Sequence, residues 1–257
     1  MSISSDIALV LDEVGTRVNI TRPDGTSFIE KIDLYTPSRV SHPFIREFLS
    51  EATFRSSTKI VSGDIIEVVA SGLIYMVLSI VPDYFEDEVT ENTAFLYKCN
   101  KEGIILYGAD ADQRDDRYRS ELRWEPVYEN MVPVLLYDKQ AFDRAITLHE
   151  RWGQLAVTSN ELYISGFYIA PVLSRLRLFS IPVDWTIWDS GSTYSLNQTV
   201  ISDDDYKAFK SLVNSNNEIL TEISAWQEIP YRDMKIERVD LSRFDNVFVY
   251  NAIEDMR

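Results

Sequence analysis

Cys99 is the first side chain to test for chemistry, because it is the only cysteine and the chain holds just two histidines, His42 and His149. A thiol beside an imidazole makes a nucleophile, and such partners meet in space rather than in sequence. Cys99 lies in Leu96-Tyr97-Lys98-Cys99-Asn100, a strand-like run in which a free cysteine ordinarily packs as a small hydrophobe. The sequence contains no G-x-S-x-G elbow, no P-loop and no G-x-G-x-x-G turn. One cysteine and two distant histidines cannot build a structural zinc site of the usual spacing. Three acidic clusters invite calcium: Asp83/Glu86/Asp87/Glu88, Asp110/Asp112/Asp115/Asp116 and Asp203/Asp204/Asp205. None has the alternating ligands, central glycine and closing glutamate of an EF-hand loop, and Arg114 occupies the third ligand position of the second cluster. Solvated loops and a helix start account for them more simply.

Paired carboxylates serve glycoside hydrolysis, but among 41 acidic residues chance pairs are frequent and carry no signal. Asp184-Trp185-Thr186-Ile187-Trp188-Asp189 is sharper, since tryptophan beside carboxylate suits sugar stacking. Strand alternation puts Trp185 and Trp188 on opposite faces, which favours one indole in a core and one half-exposed at an interface. The densest basic stretch, Arg114, Arg117, Arg119 and Arg123, is interleaved with acids and lacks the aromatic platform of single-strand binders. No catalytic, cofactor-binding or metal-binding residue is assigned, no cofactor is implied, and the chain reads as a non-enzyme.

The elements around these residues read mainly β, α+β overall. The organising stretch is 59–81, where Ser62-Gly63-Asp64 opens Ile65-Ile66-Glu67-Val68-Val69 and Ser71-Gly72 leads into Ile74-Tyr75-Met76-Val77-Leu78. This is a hairpin too apolar for a sheet with one wet face, so it belongs inside a barrel or sandwich. A short helical segment is expected within 2–13, and a first hairpin over 16–34 around Arg22-Pro23-Asp24-Gly25. Residues 35–58 form a long excursion with one helical turn, and 82–92 an acidic loop with two aromatics; loops of such length are commonly docking segments. A strand pair at 93–100 and 103–107 completes a small barrel that ends near Gly108.

The segment 109–126 reads as a charged linker, or else as a solvated helix laced with ion pairs. The second domain, 127–257, starts with a strand at Met131–Tyr137 and a short helix over 138–148, capped by Asp138 and carrying Phe142, Ile146 and Leu148. Strands follow at Gln154–Thr158, Glu161–Ile164, Phe167–Val172, Arg175–Phe179 and Val183–Trp188. Ser202-Asp203-Asp204-Asp205 then opens one long or two short C-terminal helices over about 203–226, with Tyr206, Phe209, Leu212, Val213, Leu220, Ile223 and Trp226 at helical spacing. An extended tail closes the chain, with a strand at Asn246–Asn251.

With 41 acidic against 25 basic residues the net charge is −16, which opposes binding to nucleic acid or anionic membranes. No signal peptide or membrane-spanning run is visible, and a lone cysteine fits a reducing compartment, so a soluble cytoplasmic product is expected.

Residues 58–107 carry a further pattern: Gly63-Asp64-Ile65-Ile66-Glu67, then Tyr75-Met76-Val77, then Leu96-Tyr97-Lys98-Cys99-Asn100. Together with the hairpin around Pro23-Asp24-Gly25 and the excursion at 35–58, it resembles the small β-barrel head–tail connector proteins of tailed bacteriophages. These are the head completion, head-closure (stopper) or neck proteins. The resemblance covers roughly the first 108 residues. It implies a virion structural protein, assembled in the host bacterial cytoplasm as an oligomeric ring that closes the portal channel and joins capsid to tail. Its implied partners are its own copies, a portal or adaptor protein on the head side, and a tail or tail-terminator protein on the tail side. Packaged DNA would pass without sequence-specific binding, and no membrane is involved. Segments 35–58 and 82–92 would be the intersubunit contacts, or an exposed strand edge would pair with a neighbour. Another tail or baseplate component, and a carbohydrate- or receptor-binding β-module around Trp185–Trp188, are the alternatives.

Overall fold

The computed structural model describes residues 3–22, 26–36, 48–114, 120–138, 160–171, 174–241 and 247–254. It is mainly β, with a closed barrel and further sheets. Over these residues the chain divides into two compact units that are not contiguous in sequence. One comprises 1–100, 133–169 and 238–251; the other comprises 101–132, 170–237 and 252–257.

The first unit opens with helix α1 (Ile3–Val14), longer than the turn or two expected. Its Leu11 is buried, and Gly15 N–H donates to Leu11 O at 3.0 Å where the helix ends. Strands β1 (Thr16–Thr21), β2 (Ser27–Tyr35), β3 (Leu49–Arg55), β4 (Ile65–Val68), β5 (Ile74–Phe85) and β6 (Glu88–Lys98) follow. They close into a barrel in the order β1-β2-β3-β6-β5-β4, with β1 pairing β4 from Val18↔Val68 to Thr21↔Ile65. The first hairpin forms as read, β1 against β2, although its tip at 23–25 lies outside the described residues. The central hairpin also forms, with Ile65 opposite Met76 and Ile66 opposite Tyr75.

That hairpin is apolar on both faces because both faces are covered. Ile66, Val68, Tyr75 and Val77 join Val18, Ile20, Phe54 and Leu96 in the barrel interior. Ile65, Met76 and Leu78 pack on the outer side with Val247, Tyr97, Tyr163 and Cys99. Strand alternation sends neighbours to opposite faces, so a strand with two covered faces reads as a continuous apolar run.

Three expectations for this half change. The excursion at 35–58 contains β3, a barrel strand between β2 and β6, and residues 37–47 lie outside the described part. Residues 82–92 are the outer arms of β5 and β6 rather than a loop. The strands at 93–100 and 103–107 do not pair: β6 lies between β3 and β5, while β7 (Lys101–Arg114) leaves the barrel, so the first unit's opening stretch ends at Asn100 rather than near Gly108.

The remaining strands are β8 (Ser120–Pro126), β9 (Val132–Asp138), β10 (Asn160–Ser165), β11 (Arg175–Phe179), β12 (Thr199–Ile201), β13 (Ala208–Ser211), β14 (Trp226–Glu228), β15 (Tyr231–Leu241) and β16 (Val247–Glu254). In the first unit β9 pairs β10, with Leu136 opposite Leu162. In the second, β7 pairs both β8 and β11, and β11 pairs β15. The charged linker expected at 109–126 is therefore β-structure on either side of 115–119, which lie outside the described residues; β7 continues to Arg114 and β8 returns from Ser120. Charge misled the sequence reading, because a charged run does not by itself distinguish a strand from a linker.

The helices expected at 203–226 are absent. Strands β12, β13 and β14 form a three-stranded sheet there. Tyr206 and Ser215 have φ of +54° and +53°, left-handed backbone that a right-handed helix of L-residues cannot hold. Asn216 is buried and donates to Ser211 Oγ and Ala225 O, both at 2.9 Å, tying the connection down as an irregular loop. The apolar residues at helical spacing do not share a face: Leu212, Val213 and Ile223 are exposed, while Tyr206 and Trp226 are buried. Phe167–Pro171 and Val183–Trp188 are not strands either, beyond a single bridge from Ile187 to Ile201. The expected strand at 154–158 and helix at 138–148 fall on residues outside the described part, apart from Asp138, the last residue of β9.

Candidate docking ribbon and its footing in the barrel

The most unusual surface in the first unit is the far end of the β5–β6 hairpin. From Ser79 the strand leaves the outer packing layer. A bulge between Val77 and Ser79 shifts the alternation by one residue, so Ile80, not Ser79, packs on the barrel interior. Every residue from Val81 to Glu88 is then exposed, although pairing with β6 continues through Tyr84↔Val89 and Phe85↔Glu88. Val81, Tyr84 and Phe85 are 47, 66 and 51% exposed. By alternation Tyr84 and Phe85 project from opposite faces of a two-stranded ribbon, and both are exposed. Asp83, Glu86, Asp87 and Glu88 are exposed around them.

The ribbon's turn is two residues long, and Glu86 and Asp87 have φ of +48° and +68°. Left-handed backbone at both central positions is the requirement of a type I′ hairpin, which Asn-Gly or Gly-Gly meets with least strain. Here two carboxylate residues occupy it. At the base of the ribbon Asp83 stands opposite Glu91 across the strands. Like charges in that position repel. Burial, followed by the carboxylates of Asp83 and Asp33, raises Glu91 above the ordinary glutamate range. Thr93 Oγ1 donates to Asp83 Oδ2 at 2.7 Å, and Thr90 Oγ1 to Asp83 O at 3.2 Å, which holds the base in register across a second bulge.

The footing is rigid. Asp64 is fully buried, accepting from Arg22 Nε at 2.7 Å, from Arg22 Nη2 at 3.1 Å and from Val61 N at 2.9 Å. Arg22 also donates to Lys59 O at 2.6 Å. Gly63 has φ of +91°, where a side chain is strained, and its N–H donates to Val77 O at 2.7 Å. Ser165 Oγ donates to Gly63 O at 2.6 Å. The Gly63-Asp64 step is thus a fold determinant: it locks the entry of β4 against β5 and the end of β1.

The residues considered for chemistry are dispersed. Cys99 is half-buried against the outer cluster of Ile65 and Met76, and both histidines lie outside the described residues. Among the described residues no three histidine, cysteine or carboxylate side chains converge to hold a metal. Asp203, Asp204 and Asp205 are exposed on the turn from β12 to β13. Of the second acidic cluster, Asp115 and Asp116 lie outside the described part, and Asp110 and Asp112 lie on β7. Trp185 packs with Ile104, Phe179 and Ile201, and Trp188 with Tyr194, Val200 and Trp226. The two indoles serve different clusters and are each half-buried. No helix among the described residues is long and apolar enough to cross a membrane.

The second unit holds its own buried ion pair. Arg177 Nε and Nη2 donate to Asp233 at 2.8 and 3.0 Å, and the guanidinium lies 4.1 Å from the centre of the Tyr231 ring. It also donates to Asp205 O, so β11, β15 and the acidic turn are held together. All of these groups are consumed by structure. Comparison with protein-family models, curated proteins and solved structures returned no match.

Sequence reasoning took the ribbon's residues for a loop. The run Val81-Pro82-Asp83-Tyr84-Phe85-Glu86-Asp87-Glu88-Val89 does not alternate, so nothing in it marks a strand.

Proposed function

We propose that this chain is a virion structural protein of a tailed bacteriophage, which forms an oligomeric ring at the head–tail interface, closes the portal channel and joins capsid to tail. The observation that carries it is a closed six-stranded barrel that projects a paired ribbon with uncovered aromatics. A barrel without open edges does not polymerise by indiscriminate strand pairing, so contacts are left to specific projections. The barrel covers most of the stretch on which the resemblance rests, and Gly63-Asp64 acts there as the lock between strands. A net charge of −16 suits a channel wall past which DNA phosphates slide without gripping.

The test is the mass of the purified chain in solution, alone and after mixing with the portal protein of the same phage. A defined multimer, or a monomer that becomes ring-bound on the portal, is the expected result. A monomer indifferent to the portal overturns the proposal.

A further inference from the structure

We infer that the ribbon Val81–Glu88 docks into an apolar cleft rimmed by lysine or arginine on a different protein, and not onto a second copy of this chain. This rests on the docking part of the function proposed above and is independent of whether copies form a ring. Three observations converge on it. Tyr84 and Phe85 project from opposite faces of a narrow ribbon, a shape that enters a cleft and is poorly served by a flat surface. Four carboxylates, Asp83, Glu86, Asp87 and Glu88, surround the two rings, so the rim that receives them must be positive. Glu86 and Asp87 hold left-handed backbone at a turn where Asn-Gly would sit without strain, so charge is kept at the tip at the expense of local stability.

A second copy is a poor host for such a tip. The chain carries 41 acidic and 25 basic residues, and several basic groups are already committed internally. Arg22 is bound to Asp64, Arg55 to Asp12 and Glu30, Arg177 to Asp233, and Lys207 to Asp205 and Glu228. Arg175 lies over the Trp124 ring at 4.3 Å. Docking an acidic ribbon on a second chain of net charge −16 would bring like charges together.

The experiment places a photo-crosslinking amino acid at Tyr84 in the full-length chain, exposes it to a lysate of its natural source, and maps the adducts by mass spectrometry. The expected result is adducts to one other protein, on a segment of net positive charge. Their yield should fall about tenfold between 50 and 500 mM salt, because rim charges act through a screened field. The Glu86→Gln/Asp87→Asn/Glu88→Gln chain should show a similar loss at low salt. Phe85→Ser should also remove the adduct, and matching melting temperatures for all variants establish that they are folded. Adducts to a second copy, to many unrelated proteins or to a neutral or acidic segment, or none above a chain labelled at a buried position, overturn the inference. A ring by mass with no ribbon adduct defeats this inference alone. A monomeric chain with the expected adduct defeats the ring alone.

Discussion

Strand β5 is two different materials along one backbone. From Tyr75 to Leu78 every side chain is buried, alternately in the barrel interior and in the outer cluster. From Val81 to Phe85 every side chain is exposed, though the same partner strand runs alongside. Backbone pairing is therefore continuous across a boundary at which packing stops. Ladder hydrogen bonds set the shape of the ribbon, whereas burial sets the stability of the barrel. Beyond the Arg55↔Glu91 pair, where β3 ends, the hairpin is two-stranded and has marginal stability alone, so its tip depends on the footing of the inner half.

The largest expected effect breaks the inner half. Phe54→Ala opens a cavity in the barrel interior and should cost about 3–5 kcal/mol, read as a lower denaturant midpoint. Asp64→Ala comes next. It strands the Arg22 guanidinium and the Val61 N–H, with a loss of about 3 kcal/mol in the same measurement.

Changes in the outer half should be small and partly of opposite sign. Replacing Glu86-Asp87 by Asn-Gly relieves the left-handed strain and should add about 1 kcal/mol, visible as a higher melting temperature. Glu91→Gln removes the repulsion from Asp83 and should add roughly 0.5 kcal/mol at neutral pH. The sign of the pH effect follows from Glu91's raised value. Its favourable contribution is complete below the unfolded-state value and is lost as pH rises from about 4.5 through the higher folded value. The Gln variant should flatten that part of the stability profile. Tyr84→Ser and Phe85→Ser should shift stability by no more than about 0.5 kcal/mol, since both rings are already in water.

The same division governs what could be read from the residues alone. Where burial enforces a pattern the sequence was legible: the apolar hairpin at 65–78, the hairpin at 16–34 and the strand Arg175–Phe179 all stand where they were expected. Where shape is held by backbone pairing or by single side chains, it was not. The ribbon lacks a buried face, so its polar residues resembled a loop. Strand β3, with Glu51 and Arg55 among its residues, gave little apolar alternation although Ala52 and Phe54 are fully buried. At 203–226 periodicity pointed to a helix, while two left-handed residues and the hydrogen bonds of Asn216 dictated a sheet and loop. The aromatics among acids at 82–92 were visible in the sequence, but their two-faced geometry required the register of β5 on β6.

Residue-resolved hydrogen exchange along β5, at dilute and at high protein concentration, tests the central claim most directly. The account predicts slow exchange for paired amides of Tyr75–Leu78, and exchange orders of magnitude faster for Val81–Glu88 at both concentrations. Equal protection of the two halves would contradict it, because the ribbon would then be packed in the free protein rather than held out for a partner.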